Sequence, residues 1–217
     1  MCKYPGPSTF CAAETTRKDF TAAGKKLIVD KHNELRRKVA RGEEKDAMAQ
    51  PKASNMREMV WNDELAAIAQ RWADQCTFGH DENRKKLDGT YVGQNVYMSY
   101  SFTDLDLDTI MGMMDEAATA WYSEVSENNF DPADIKPFKF DYLTAHYTQM
   151  VWAESEELGC GQVMFKDGMY ENIVVCNYAN GGNMIGGTMY EVGEPCSKCP
   201  SGYSCKEDLC AKNTAEP

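Results

Sequence analysis

The stretch Ala145-His146-Tyr147-Thr148-Gln149-Met150-Val151-Trp152 decides how this chain is read. It carries one of only three histidines in 217 residues, two large aromatics and an amide. A histidine set among Tyr, Thr and Gln reads first as a hydrogen-bonded structural position, and second as a metal ligand or proton carrier. Just downstream, Leu158 to Phe165 and Tyr170 to Tyr178 are rich in strand formers around Lys166-Asp167-Gly168. Asp-Gly is a two-residue turn signal, so the pair reads as a β-hairpin, with Cys160 and Cys176 placed on opposite strands for a cross-strand disulfide.

Upstream, the apolar positions Phe20, Leu27, Ile28, Leu35 and Val39 keep a helical period between Lys18 and Arg41, with basic residues on the other face and Gly42 as a stop. His32 within it reads as a satisfied structural histidine. Residues 43–60 are polar, contain Pro51 and form a loop. Asn62 is placed to cap a second helix, with Asp63 and Glu64 at the positive end of its dipole. Leu65, Ile68, Ala69, Trp72, Ala73 and Cys76 then make an apolar stripe. Tyr91 to Met98 reads as a strand. Leu105 to Glu127 reads as a third helix, with Met111, Met113 and Met114 as adaptable core filling rather than a lipid groove. Residues 128–144, with Pro132 and Pro137, are a loop. Helices flanking a few antiparallel strands define an α+β class.

The chain is long enough for one sizeable core plus a small appendage. Its net charge of −11 opposes nucleic acid and anionic membrane surfaces as partners. No run approaches the length of a membrane span. The first residues lack the apolar core of a signal peptide, which leaves a cytosolic protein or the mature form of a secreted one. Nine cysteines bear on that choice. Cys196, Cys199, Cys205 and Cys210 crowd into a segment too poor in apolar residues to hold itself together, as in disulfide-stapled secreted modules. Cys196-x-x-Cys199 also has zinc-ligand spacing, and Cys205 and Cys210 could complete such a site. The odd total leaves at least one thiol without an intrachain partner; Cys2, Cys11 and Cys76 are the candidates.

The opening octapeptide closely resembles the GHYTQMVW signature of the secreted CAP (SCP/TAPS) superfamily, with Ala145 in place of glycine. Ile173-Val174-Val175-Cys176-Asn177-Tyr178-Ala179-Asn180-Gly181-Gly182-Asn183-Met184 resembles a second signature, and His32-Asn33-Glu34-Leu35-Arg36 resembles the stretch that opens the domain. The string from Gly182 to Gly186, followed by Tyr190 to Pro200, looks especially like the activation-associated secreted, or venom-allergen-like, proteins of parasitic nematodes. The resemblance implies a three-layer α-β-α sandwich with a small antiparallel sheet. It covers residues 18–191 as a CAP domain and makes 192–217 a Cys-rich hinge-like tail; residues 1–17, with Cys2, Cys11, two prolines and several Ser and Thr, read from their composition as an extended N-terminal arm tied down by disulfide. The resemblance favours disulfides over zinc at Cys196, Cys199, Cys205 and Cys210, and members of the family commonly have a disulfide at the positions of Cys160 and Cys176.

Family members place two histidines and two acids around a cleft. Carried over, these are His80, His146, Glu124 and the middle residue of a Gly-Glu-Asn strand, which here reads Gly93-Gln94-Asn95. Gln94 cannot ionise or act as a base, so an acid–base pair is halved. A divalent cation such as zinc at His80 and His146 would lose a neighbouring charge. No Gly-x-Ser-x-Gly elbow or His-Glu-x-x-His helix occurs. The expected function is therefore a secreted, non-enzymatic effector that binds host proteins or receptors and modulates immune responses. A sterol or fatty-acid carrier and a weak metal-dependent hydrolase using His80, His146 and Glu124 are the alternatives. The resemblance requires no cofactor and allows a monomer or a homodimer.

Overall fold

In a computed structural model, which describes residues 3–17 and 21–213, the chain forms two units. The first comprises Met1–Val29, Trp61–Ala118 and Glu157–Asn180; the second comprises Asp30–Val60, Thr119–Glu156 and Gly181–Pro217.

The first unit is organised on an antiparallel sheet. Its strands are β1 (Thr15–Arg17), β3 (Val92–Ser101), β4 (Glu157–Asp167) and β5 (Met169–Ala179), paired in the order β1-β4-β5-β3. A short β2 (Val60–Trp61) precedes helix α3 (Asp63–Ala73). Asn62 caps that helix as its sequence position predicts, its side chain accepting from the Leu65 N–H, with Asp63 and Glu64 in the first turn. The stripe Leu65, Ala69 and Ala73 is buried: Ala69 and Ala73 pack with Val96, Val163, Phe165, Ile173 and Val175, and Leu65 with Val92 and Ala179. Close approach is possible because β4 presents Gly159 and Gly161 to α3: a Cβ on Gly161 would stand 2.3 Å from the Gln70 backbone. Cys160 and Cys176 are directly paired in the register and form the expected cross-strand disulfide. They alternate with Gly159 and Gly161 and so lie on the opposite face of the strand pair. Near that face, α4 (Leu107–Glu127) meets β3 through a Tyr97 hydroxyl donated to Glu116 at 2.7 Å. α2 (Ala22–Ala40) meets α4 where Gly24 lies against the Met114 thioether.

Several expectations change here. The segment read as an extended arm contains α1 (Thr9–Glu14), capped by Ser8, and then β1 on the edge of the sheet. Local capping and an open β4 edge outweigh its Pro- and Ser-rich composition. α2 starts later than read, at Ala22, where the Thr21 hydroxyl accepts from the Gly24 N–H; Phe20 lies outside the described residues. Leu27, assigned to the buried stripe, is 37% exposed, whereas Ile28 is fully buried. Cys76 is not on the helical stripe: α3 stops at Ala73, Cys76 turns into a left-handed conformation (φ 52°), and its sulfur bonds Cys11. The hairpin register runs on through Asp167 opposite Met169, so Gly168 alone stands between the strands, at φ 74°, rather than a two-residue Asp-Gly turn.

The second unit holds the rest of α2 and α4, then α5 (Ala145–Met150) and a C-terminal hairpin of β6 (Tyr203–Lys206) and β7 (Leu209–Lys212). The octapeptide is thus mostly a single short helix. Residues 128–144, read as plain loop, include two single turns of 3-10 helix, Pro132–Asp134 and Tyr142–Thr144. Arg36 is fully buried with backbone oxygens as its partners: Nε donates to Arg57 O, Nη1 to Met150 O and Trp152 O, and Nη2 to Ala153 O. Four carbonyls disperse a charge that burial would otherwise make costly. His32 is fully buried, as a structural histidine should be. The tail is stitched into this unit by Cys210 N–H to Met56 O and Glu58 N–H to Cys210 O. Its cysteines pair as Cys196–Cys205 and Cys199–Cys210, disulfides rather than a zinc site. With Cys11–Cys76 and Cys160–Cys176 this accounts for eight cysteines, so the odd one is Cys2, outside the described residues. No helix among the described residues is long and apolar enough to cross a membrane.

Candidate functional site: two oriented histidines

Each unit contains one of the two expected histidines, and each histidine is held through Nδ1. In the first unit, antiparallel register sets Gln94 of β3 opposite Asn177 of β5. Asn177 Nδ2 donates to Leu65 O at 3.3 Å, and Gln94 Nε2 donates to Asn177 Oδ1 at 2.9 Å. That leaves Gln94 Oε1 as an acceptor. It takes the Asp81 N–H at 3.0 Å and faces His80 Nδ1 at 3.1 Å. A carbonyl oxygen has no proton to give, so the contact requires His80 Nδ1–H and puts the imidazole lone pair on Nε2. The loop carrying His80 is fixed on both sides: Trp72 Nε1 donates to Gly79 O, and Arg84 donates to Asp81 O and Val92 O. Gln94 is buried, while His80 is exposed.

In the second unit Glu124, late in α4, reaches the start of α5. One carboxylate oxygen accepts the His146 and Tyr147 N–H groups at 2.9 and 3.1 Å; the other meets His146 Nδ1 at 2.5 Å. An ionised carboxylate only accepts, so this histidine also carries its proton on Nδ1 and its lone pair on Nε2. Trp121, one turn before Glu124, stacks on the imidazole with ring centroids 6.2 Å apart. Below it Tyr147 is fully buried between Tyr122 and Phe130, and burial pushes its phenol pKa well up. Asn183 closes the cluster: its Nδ2 donates to Ala145 O, and its Oδ1 accepts the Thr148 hydroxyl. The amide of Gln149 accepts the Gly182 N–H, tying the two signature stretches together.

The sequence names all four residues, and the structure brings them together as two pairs, His80 with Gln94 and His146 with Glu124. It also revises their chemistry. Glu124 does not stand clear as a base; it orients an imidazole, as the acid of a catalytic triad does. The Gln94 carbonyl performs the same service for His80, so the amide fills an orienting role for which ionisation is not required. Asn177, Asp81, Trp121 and Asn183 were not singled out. Asn177 could have been found from hairpin alternation, and Trp121 from its helical spacing to Glu124; the Asp81 amide had no signal in sequence.

A buried disulfide, Cys-rich terminal hairpin and small antiparallel sheet carrying paired His–acceptor contacts define a disulfide-bonded α+β protein of extracellular type. The profile of the cysteine-rich secretory protein family, CAP, matches residues 29–178. Venom allergen 5 of Microctonus hyperodae is 40% identical over 193 residues, spanning 88% of this chain and 81% of that protein. The chain belongs to the CAP family. Among solved structures it resembles nematode activation-associated and venom-allergen-like proteins. BmVAL-1 superimposes with a TM-score of 0.79 at 30% identity, covering 93% of this chain and 100% of that one. NaASP2 with Zn2+ gives 0.73 at 33% identity, covering 88% and 96%. The chain spans about half the length of other curated relatives, such as CRISP/Allergen/PR-1 of Trittame loki, of which it covers 48% at 40% identity.

Proposed function

We propose that this is a secreted nematode CAP protein that acts by recognition rather than turnover, binding host proteins or receptors and modulating immune cells. One observation carries the reading: Gln94 is locked by direction into an amide chain ending on Leu65 O, so position 94 supplies no proton acceptor beyond His80 and Asp81. Glu124, the remaining acid, is engaged by three N–H donors. Both signatures are thereby used for rigidity, which suits a stable display scaffold. Purified protein should alter host immune-cell cytokine output in a dose-dependent way, and the His80→Ala/His146→Ala double variant should keep that effect. Turnover of peptide or ester substrates with zinc or magnesium, abolished by Glu124→Gln, would overturn the reading.

A divalent cation is supported as a second property. Both imidazoles direct a lone pair from Nε2, backed at Nδ1 by an acceptor, which is the arrangement zinc-ligating histidines use; a relative was solved with Zn2+. His80 in the first unit and His146 in the second would each offer one such ligand atom, and a bound ion would supply Lewis acidity. Calorimetric zinc titration tests it: His80→Ala and His146→Ala should each reduce the zinc heat of the parent protein, and no heat in the parent protein removes the proposal.

A further inference from the structure

The terminal cysteines are closer together than two independent disulfides require. The Sγ atoms of Cys196, Cys199 and Cys210 all lie within 4.8 Å of one another. Cys205 Sγ lies outside that mutual distance but is bonded to Cys196 Sγ, so the fourth sulfur adjoins the three-sulfur group from the exposed β6 strand. A tetrahedral zinc–thiolate centre, with Zn–S near 2.3 Å, holds its sulfurs about 3.8 Å apart. The chain around them has a matching form. Cys196-x-x-Cys199 is a tight turn, with Cys196 at φ 61° and Cys199 N–H directed to Cys196 O. Cys205 and Cys210 face each other across the β6–β7 hairpin, whose Glu207-Asp208 turn has both residues at positive φ.

From this geometry we propose that the tail has a second, reduced state in which Cys196, Cys199, Cys205 and Cys210 bind one zinc ion as a four-thiolate site. The frame does not rest on the disulfides alone. Leu209 and Cys210 are fully buried, Cys210 is hydrogen-bonded through both backbone groups to Met56 and Glu58, and Asn213 N–H closes on Gly202 O. Access is selective as well. Among the described cysteines only Cys205 is exposed; Cys196, Cys199 and Cys76 are half-buried, and Cys160, Cys176 and Cys11 are at most 1% exposed. A small thiol reductant, of the glutathione class, attacks Cys205 Sγ, breaks its bond to Cys196 and releases the Cys196 thiolate; a second thiol frees Cys205 and leaves as the oxidised dimer. The Cys196 thiolate is within reach of Cys199 Sγ. Its attack there forms Cys196–Cys199 and expels the Cys210 thiolate, and two further thiols reduce the new bond. Four reductant thiols thus give four cysteine thiols and two oxidised dimers, and zinc displaces the four thiol protons.

The test uses the full chain, reduced mildly with a phosphine, cleared of reductant without oxygen and titrated with Co2+. One equivalent should bind with sulfur-to-cobalt charge-transfer bands and the visible bands of a tetrahedral site, and zinc should displace it. The oxidised protein should show no such bands. Cys199→Ser/Cys210→Ser should weaken the binding that gives the sulfur-to-cobalt bands at least tenfold, while His80→Ala/His146→Ala should leave those charge-transfer bands unchanged, which separates this site from the histidines. Because the cysteine variant could fail to fold, alkylation of the unmutated reduced protein with and without zinc is the parallel measurement: zinc should shield these four cysteines alone. Absence of the charge-transfer bands, or zinc protection that does not fall on these residues, would overturn the proposal.

Discussion

At the residue scale, Gln94 shows how much of a side chain's role lies in direction. Its identity, and its inability to ionise, are plain in the sequence. That its oxygen faces His80 and its nitrogen faces Asn177 depends on a strand partner more than eighty residues away. Two consequences can be measured. Long-range 1H–15N spectra should show His80 and His146 with the proton on Nδ1 when neutral. Gln94→Ala should leave the Asp81 N–H and the Asn177 carbonyl without their partner and cost about 1–3 kcal/mol in denaturant unfolding. Glu44 makes a different residue-scale case. It is 1% exposed and accepts from Tyr122, Lys38 and the Asp46 N–H. Burial alone would raise its pKa, but those hydrogen bonds outweigh burial and hold the carboxyl below its usual range. Because the folded value is depressed, its stabilisation is present above the unfolded value, about 4.3, and is lost as pH falls through the folded one. Chemical denaturation of Glu44→Gln should therefore give a shallower loss of stability on acidification below about pH 4.5 than the parent protein does.

At the element scale, the helices and the hairpin follow from periodicity, capping and turn chemistry, and their centres are where the sequence places them. Their ends are not. α3 stops before Cys76 because a disulfide to Cys11 and a left-handed turn claim that residue. α1 forms where composition argued for an extended arm. α5 was hidden because six residues are too few to display a helical period, and its stability comes from Glu124 at one end and Arg36 at the other. The packing of α3 on β4 was also invisible, since a glycine in a strand pattern has several readings. A Cβ on Gly159 would meet the Ala66 N at 2.2 Å, and one on Gly161 the Gln70 backbone at 2.3 Å. Gly159→Ala and Gly161→Ala should each destabilise by about 3 kcal/mol or more, because the obstruction is helix backbone that cannot swing aside. Thermal melts followed by circular dichroism would show it.

For the whole molecule, stability is divided between an apolar core and covalent ties. The Cys11–Cys76 link closes 65 residues of sequence and the Cys160–Cys176 link only 16. Loop-closure entropy then assigns about 4 kcal/mol to the first and about 3 kcal/mol to the second. Removing Cys11 and Cys76 together should lower the denaturation midpoint without altering the hairpin, as amide exchange would report. The acidic net charge acts at this scale too: at −11 the protein should stay off anionic vesicles and DNA at physiological salt, which co-sedimentation can check.

The sequence by itself determined the family, the α+β class, the two histidines with Gln94 and Glu124, and the Cys-rich character of the terminus, because those rest on residue identity and on short-range periodicity. Only the tertiary structure decided how the cysteines outside the hairpin pair, that Gln94 and Glu124 orient imidazoles through Nδ1, and that three tail sulfurs share one small volume with the fourth bonded beside them. Each of those is a relation in three dimensions between residues that are distant in sequence or turned by a local bend, and no spacing along the chain encodes the direction of a hydrogen bond.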